Sequence, residues 1–230
     1  MTAHAMDRPV LVGMLLAFAA GFVDTCGFIG LFGLFTAHVT GNFVTIGAAM
    51  VEQGAAVIAK LLALPVFILT VAATRLWAIG CRRSERDLRT PLLLAQMLLM
   101  AGFMVVGVAA SPIASAEAPL AIIAGLLGVA AMAIQNAAAR LAFASLAPTT
   151  VMTGNITQSV IDAVDLLFRT SGDPPAEVSQ RFRKMWPPVL AFAVGAIFGA
   201  LSYSSAGFIC LLAPIIVLGG LATLTRCGLE

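Results

Sequence analysis

The stretch Phe35-Thr36-Ala37-His38-Val39-Thr40-Gly41-Asn42-Phe43-Val44-Thr45 places a Thr-Gly-Asn triplet at the head of a short apolar run, and the triplet recurs at Thr153-Gly154-Asn155. Two copies imply two halves. The shift between them is 113 residues in a chain of 230, which divides a single membrane domain, 1–230, into a first half of about 8–112 and a second of about 113–228. The same shift sets Glu52 opposite Asp165.

Composition places both halves in a bilayer. Hydrophobic residues make up 60% of the chain and charged residues 10%, with a mean hydropathy of +1.02, which no single soluble core accommodates. A hydrocarbon layer of about 30 Å takes roughly 20 apolar residues per helical span. The net charge of +2 is small and scattered, so no nucleic-acid partner is expected. The partners implied are the lipid bilayer and a small-molecule solute, with a homo-oligomer left open. Cys26, Cys81, Cys210 and Cys227 show no Cys-x-x-Cys or Cys/His ligand spacing and read as small packing residues. Neither a metal nor a cofactor is expected.

Outward from the first triplet, Val10 to about Leu34 forms a first span, and its continuation to Phe35 marks it as retained rather than as a cleavable signal. The first triplet segment, about His38 to Val51, is too short at roughly 14 residues to cross comfortably. Ala55 to Ile79 follows, with Pro65 inside it and Arg75 placed to snorkel. After the charged loop from Arg82 to Arg89, Thr90-Pro91 reads as a helix cap and first position opening a span to about Ala110. The second half runs from Leu120 to about Ala139, through the second triplet segment to Phe168, across a loop from Arg169 to Met185, and into spans at Pro188 to Tyr203 and Phe208 to Thr225.

Charge fixes the expected topology. Residues 82–89 and 169–184 each carry four Lys or Arg, whereas 111–119 and 204–207 carry none, so the basic loops belong on the cytoplasmic side. Eight full crossings would put residues 111–119 on the side of a basic loop. The expected fold is therefore an all-α polytopic membrane protein of about six transmembrane helices plus two short re-entrant half-helices. They form a 3+3 inverted-topology repeat, with both termini cytoplasmic.

Non-helical backbone at membrane depth persists only where it is buried in protein or lines a wet cavity. If the short helices start near Thr40 and Thr153, unpaired N–H groups and about half a positive charge converge at each start. Thr and Asn offer capping oxygens there, and Gly permits close approach. Asp24 lies near mid-depth of the first span, where an ionised carboxylate is expensive unless paired, hydrated or protonated. The matching span offers Gln135 and Asn136, with Arg140 four residues beyond Asn136 on the same helical face. An Asp24–Arg140 ion pair and an Arg140 that snorkels to water are both open. His38 is either a proton carrier or a helix-start hydrogen-bonding residue. Asp162, Asp165 and Glu52 read as solvated end charges, and the glycines at 27, 30, 33, 195 and 199 as close-packing faces.

Gly21-Phe22-Val23-Asp24, Phe35, Thr40-Gly41-Asn42, Gln135-Asn136-Ala137, Thr149-Thr150 and Thr153-Gly154-Asn155 together resemble the YoaK-like family of bacterial inner-membrane proteins over nearly the whole chain. The resemblance implies a polytopic inner-membrane protein of about six spans. It brings no substrate, because the family is a domain of unknown function. In that family the residue before Gln135 is commonly Gly and the second triplet often ends in Thr, whereas Ile134 and Asn155 stand here.

The function expected is a transporter or permease for a small polar or anionic solute. The solute would be held near mid-membrane between the two opposed Thr-Gly-Asn starts by Asp24, His38, Thr40, Gly41, Asn42, Gln135, Asn136, Thr153, Gly154 and Asn155. An aquaporin-like channel, an intramembrane enzyme and a membrane assembly subunit are the alternatives. The enzyme lacks any nucleophile–base pair, ligand spacing or cofactor fingerprint, so no catalytic residue is expected.

Topology is testable directly. In a background without the native cysteines, Ser84→Cys should stay unlabelled by impermeant thiol reagent in intact cells and react once the membrane is opened. Labelling of intact cells would reverse the orientation.

Overall fold

A computed structural model describes residues 8–52, 57–84 and 86–226. Among these residues eight α-helices run in the order α1 (Arg8–Gly30), α2 (Gly41–Glu52), α3 (Val57–Arg83), α4 (Arg89–Ala110), α5 (Pro119–Leu141), α6 (Met152–Phe168), α7 (Pro175–Ala206) and α8 (Leu212–Arg226). A 3-10 turn, Gly207–Leu211, joins the last two. Among the described residues there is no strand.

Among the described residues five helical stretches are long and apolar enough to cross a membrane: α1, α3, α4, α5 and the 52-residue stretch Pro175–Arg226, which holds α7, the turn and α8. The chain is a multi-pass membrane protein. By contrast α2 has 12 residues, about 18 Å of helix, and falls well short of the hydrocarbon thickness. The outward faces are apolar, with Leu69, Leu76, Leu98, Ile197, Leu201 and Ile216 all more than half exposed, as lipid contact requires. The N-terminus and residues 227–230, with Cys227, lie outside the described residues, as does the side chain of Glu52.

Two helix starts differ from the sequence expectation. Thr90 does not cap α4. The carboxylate of Asp87 accepts the N–H groups of Arg89 and Thr90, both at 3.1 Å, while the Thr90 hydroxyl meets that of Thr225 at 3.0 Å. Burial pushes the Asp87 carboxyl upward, but the hydrogen bonds from Arg89 and Thr90 and the Arg89 charge outweigh it and hold the group below its ordinary range. The basic loop after α6 is also much shorter than Arg169 to Met185. Arg169 ends α6 in the left-handed conformation, and Pro175 already stands in the first turn of α7. The helix then runs through Pro187 and Pro188. Pro188 is buried against α1, where it faces Gly13.

The centre of the molecule is α1 with α5, each 61% buried over its apolar window, against 22% for α3. Helix α1 packs most extensively on α7 and α5 on α4 and α3; α2 lies on α3 and α6 on α7. The α1–α7 contact brings backbone against backbone. A methyl group on Gly21 would collide with the Phe192 carbonyl, on Gly195 with the Phe18 carbonyl, and on Gly199 with the Phe22 carbonyl at 2.6 Å. Small residues that permit such approach drive helix association in lipid, where the hydrophobic effect between helices is absent. Cys26 fits beside this seam, with its sulfur 3.6 Å from the Gly199 carbonyl and 3.4 Å from the Cys210 sulfur, in the packing role expected of it.

Gly195→Val should therefore destabilise the protein by about 3 kcal/mol or more, because the helix backbones cannot move apart without losing their contact. Gly154→Ala, where nothing lies within 4 Å, should be neutral or stabilising by up to about 1 kcal/mol. Thermal unfolding in detergent measures both, and equal effects would refute the close-approach reading.

Candidate functional site

Two polar clusters, one in each half, form where the chain turns back alongside a central helix. After α1 the backbone takes positive φ at Phe32 (54°) and Gly33 (79°), which reverses its direction. The returning segment meets Asp24. One carboxylate oxygen, Oδ1, accepts the N–H groups of Thr36 and Ala37, each at 2.7 Å, and the Thr36 hydroxyl at 3.3 Å. The other, Oδ2, lies 2.8 Å from His38 Nδ1. Gly27 makes room for this loop, since a Cβ there would stand 2.7 Å from Thr36 Cγ2.

When the Asp24 carboxylate is ionised its oxygens only accept hydrogen bonds, and His38 Nδ1 is then the donor between them. The His38 side chain is 32% exposed, whereas Asp24 is buried. The imidazole stands edge-on to Phe192 of α7 at 5.6 Å between ring centres.

Asn42 completes the loop. Its Oδ1 accepts the Phe35 N–H at 2.8 Å and its Nδ2 donates to the Phe35 carbonyl at 2.9 Å. The start of α2 is closed by local bonds: Gly41 donates to the His38 carbonyl, Asn42 to that of Val39 and Phe43 to that of Thr40. These N–H groups, expected to face a ligand, are already paired.

The second cluster uses amides. Gln135 of α5 donates through Nε2 to the Leu16 carbonyl of α1 at 2.9 Å and to the Thr149 hydroxyl at 3.0 Å, and its Oε1 accepts from Gln96 Nε2 at 2.7 Å. The Thr150 hydroxyl donates to Asn136 Oδ1 at 2.8 Å. Asn155 Nδ2 donates to the Pro148 carbonyl at 2.7 Å, seven residues upstream, as Asn42 does to Phe35.

A cavity of about 420 Å³ opens beside this second cluster, with Asn136, Arg140 and Thr150 on its wall. The structure thus gathers Asn136 and Arg140, and separately Asp24, His38 and Asn42. It does not pair Asp24 with Arg140: His38 takes that place, and Arg140 is exposed. Nor do the two helix starts converge. Leu16 and Asp24, which mark the levels of the two clusters, are eight residues apart on α1, about 12 Å along its axis. Helices α2 and α6 make no contact with each other. Thr40, Thr153 and Gly154 are exposed, while Asn42 and Asn155 are buried and spent on their own loops.

Asp162 is a further correction. It is fully buried and ion-paired with Arg181 at 2.7 Å, rather than solvated, because the longer α7 lays Arg181 over α6. Asp165 accepts from the Thr170 hydroxyl at 2.7 Å near the end of α6. Gln96 and Lys60, both buried, were not singled out from the sequence. A lone polar side chain inside an apolar run was the available signal for each.

Asp24→Ala would leave the N–H groups of Thr36 and Ala37 without their acceptor and should cost about 3 kcal/mol, whereas His38→Ala should cost about 1 kcal/mol. Thermal unfolding in detergent compares them. A loss for His38→Ala as large as that for Asp24→Ala would mean that the imidazole, not the carboxylate, holds the loop.

No curated protein and no solved structure matches this chain. Residues 12–224 match the model of the family described as a protein of unknown function (DUF1275), and with nearly its whole length covered the chain belongs to that family.

Proposed function

We propose that the protein is a permease of the bacterial inner membrane that moves a small polar or anionic solute, with proton transfer at the Asp24–His38 pair. The carrying observation is the difference between the two clusters. Both are built from a returning loop, a polar residue on the central helix and an Asn clamped seven residues back. Only the second is bordered by the 420 Å³ cavity with Arg140, Asn136 and Thr150. Halves built alike but held in different states are how repeat transporters open to one side at a time.

The helix contacts support a 3+3 inverted repeat of six spans. Exchanging the halves turns the α1–α7 contact into α5–α3 and the α2–α3 contact into α6–α7, and both members of each pair are present. In this reading α7 and α8 are separate crossings and α2 and α6 are re-entrant. The ends bearing Arg82 and Arg83, Arg140 and the α7 start are cytoplasmic. The cavity then marks an inward-open state, and Arg140 receives an anionic or strongly dipolar group as it enters.

Reconstituted protein should give saturable flux of a solute that also raises its melting temperature. Asp24→Asn should flatten the pH dependence of that flux, and Arg140→Gln should raise the half-saturating concentration by about tenfold, the loss of one charge-assisted contact. Linear, pH-independent flux would indicate a channel. A chemically altered solute recovered from the vesicles would indicate an enzyme.

A further inference from the structure

We infer that the broad cavity between the N-terminal ends of α1 and α7 binds the phosphate head group of an anionic phospholipid. The cavity measures about 810 Å³, and Arg8, Arg183 and Lys184 stand on its wall with Ser145, Ser179 and Gln180. Among the described residues no carboxylate lines it. Among the described residues these three cations form no ion pair, whereas Arg181, two residues from Arg183, is matched by Asp162 and Asp173. Three unneutralised cations around one space, with hydroxyl and amide groups between them, are complementary to a phosphate.

Depth and shape select a lipid over a free anion. Helix α7 has 32 residues, about 48 Å, so its charged first third extends beyond a hydrocarbon layer of about 30 Å. Phe182 and Trp186 are stacked at 6.4 Å on this part of the helix, and Trp186 is exposed, which marks the level of the membrane–water boundary. The basic cavity therefore sits at head-group height. Beside it runs a second cavity of about 260 Å³ that shares Arg8, Pro9, Ser145 and Leu146 with the first. Its other walls are mostly apolar, Leu11, Val12, Phe143, Leu221 and Leu224 from α1, α8 and the loop after α5, with Arg89 and Thr225 beside them. A basic chamber joined to an apolar slot fits a charged head and the start of an acyl chain, and this site does not depend on the transport reading.

The test is the melting temperature of purified protein in mild detergent during titration with phosphatidylglycerol, phosphatidylcholine or inorganic phosphate. Phosphatidylglycerol should raise it saturably, and the other two should not at matched concentration. Arg183→Gln with Lys184→Gln should weaken the apparent affinity for phosphatidylglycerol by about tenfold or more. Because removing basic residues can disturb insertion, Ala176→Trp supplies a variant that fills the chamber and leaves every charge in place; it should lose the same lipid effect. Arg82→Gln, in the last turn of α3, should retain it. Equal stabilisation by phosphatidylcholine or by phosphate alone, or an undiminished phosphatidylglycerol effect in Ala176→Trp, overturns the proposal.

Discussion

A peptide segment that turns back among membrane helices must find partners for its N–H and carbonyl groups inside the protein, because the hydrocarbon supplies none. Two such segments are present here, and each is held by a polar side chain on one of the two most buried helices. The Asp24 carboxylate takes two backbone N–H groups of the first, and Gln135 and Asn136 take two hydroxyls of the second. This requirement explains why a strongly apolar chain buries Asp24, Asn42 and Asn155, each of which bonds backbone groups of a returning segment, while Gln135 and Asn136 hold the second segment through its Thr149 and Thr150 hydroxyls.

The chemistry differs between the halves even though the construction is shared. An acid beside an imidazole can change its protonation, whereas a Gln with Thr hydroxyls cannot. The first cluster is therefore the electrostatically adjustable one, and the second is a fixed network tied to α1 through the Leu16 carbonyl. Both clusters reach the same pair of helices: His38 touches Phe192 of α7, and Met152, at the start of α6, packs with Ala17 of α1 and Ala191 of α7. A movement of α7 along α1 would be felt at both.

That pair is also the tightest contact in the molecule. Gly21, Gly195 and Gly199 bring the backbones of α1 and α7 together, and at these three points no side chain of the glycine itself stands between the helices to absorb a displacement. Such a seam transmits motion as a rigid unit rather than by repacking. The Asp162–Arg181 pair fastens α6 to the same helix at its charged end. Helix α7 thus links the second returning segment, the central helix and the basic chamber at its own start.

The sequence alone determined the membrane class, the two-fold recurrence of Thr-Gly-Asn, the long apolar helices and the place of Asp24 within an apolar run. These follow from local composition and spacing, which the bilayer reads one helix at a time. Helix α6 ended at Phe168 as its sequence indicates, because the apolar pattern stops there. Partner choice was decided only in the tertiary structure. Asp24 meets His38 instead of Arg140 because the loop after Gly33 folds back across one turn of α1, a direction set by positive φ angles that no spacing rule contains. Asn42 and Asn155 looked like ligand groups and proved to be loop clamps, since each lies within reach of a backbone group seven residues upstream once the chain has turned. Arg181 buries Asp162 because α7 begins at Pro175, thirteen residues before the Pro188 start that its apolar run implies: helix outside the hydrocarbon has no hydropathy signal, and only packing against α6 reveals it.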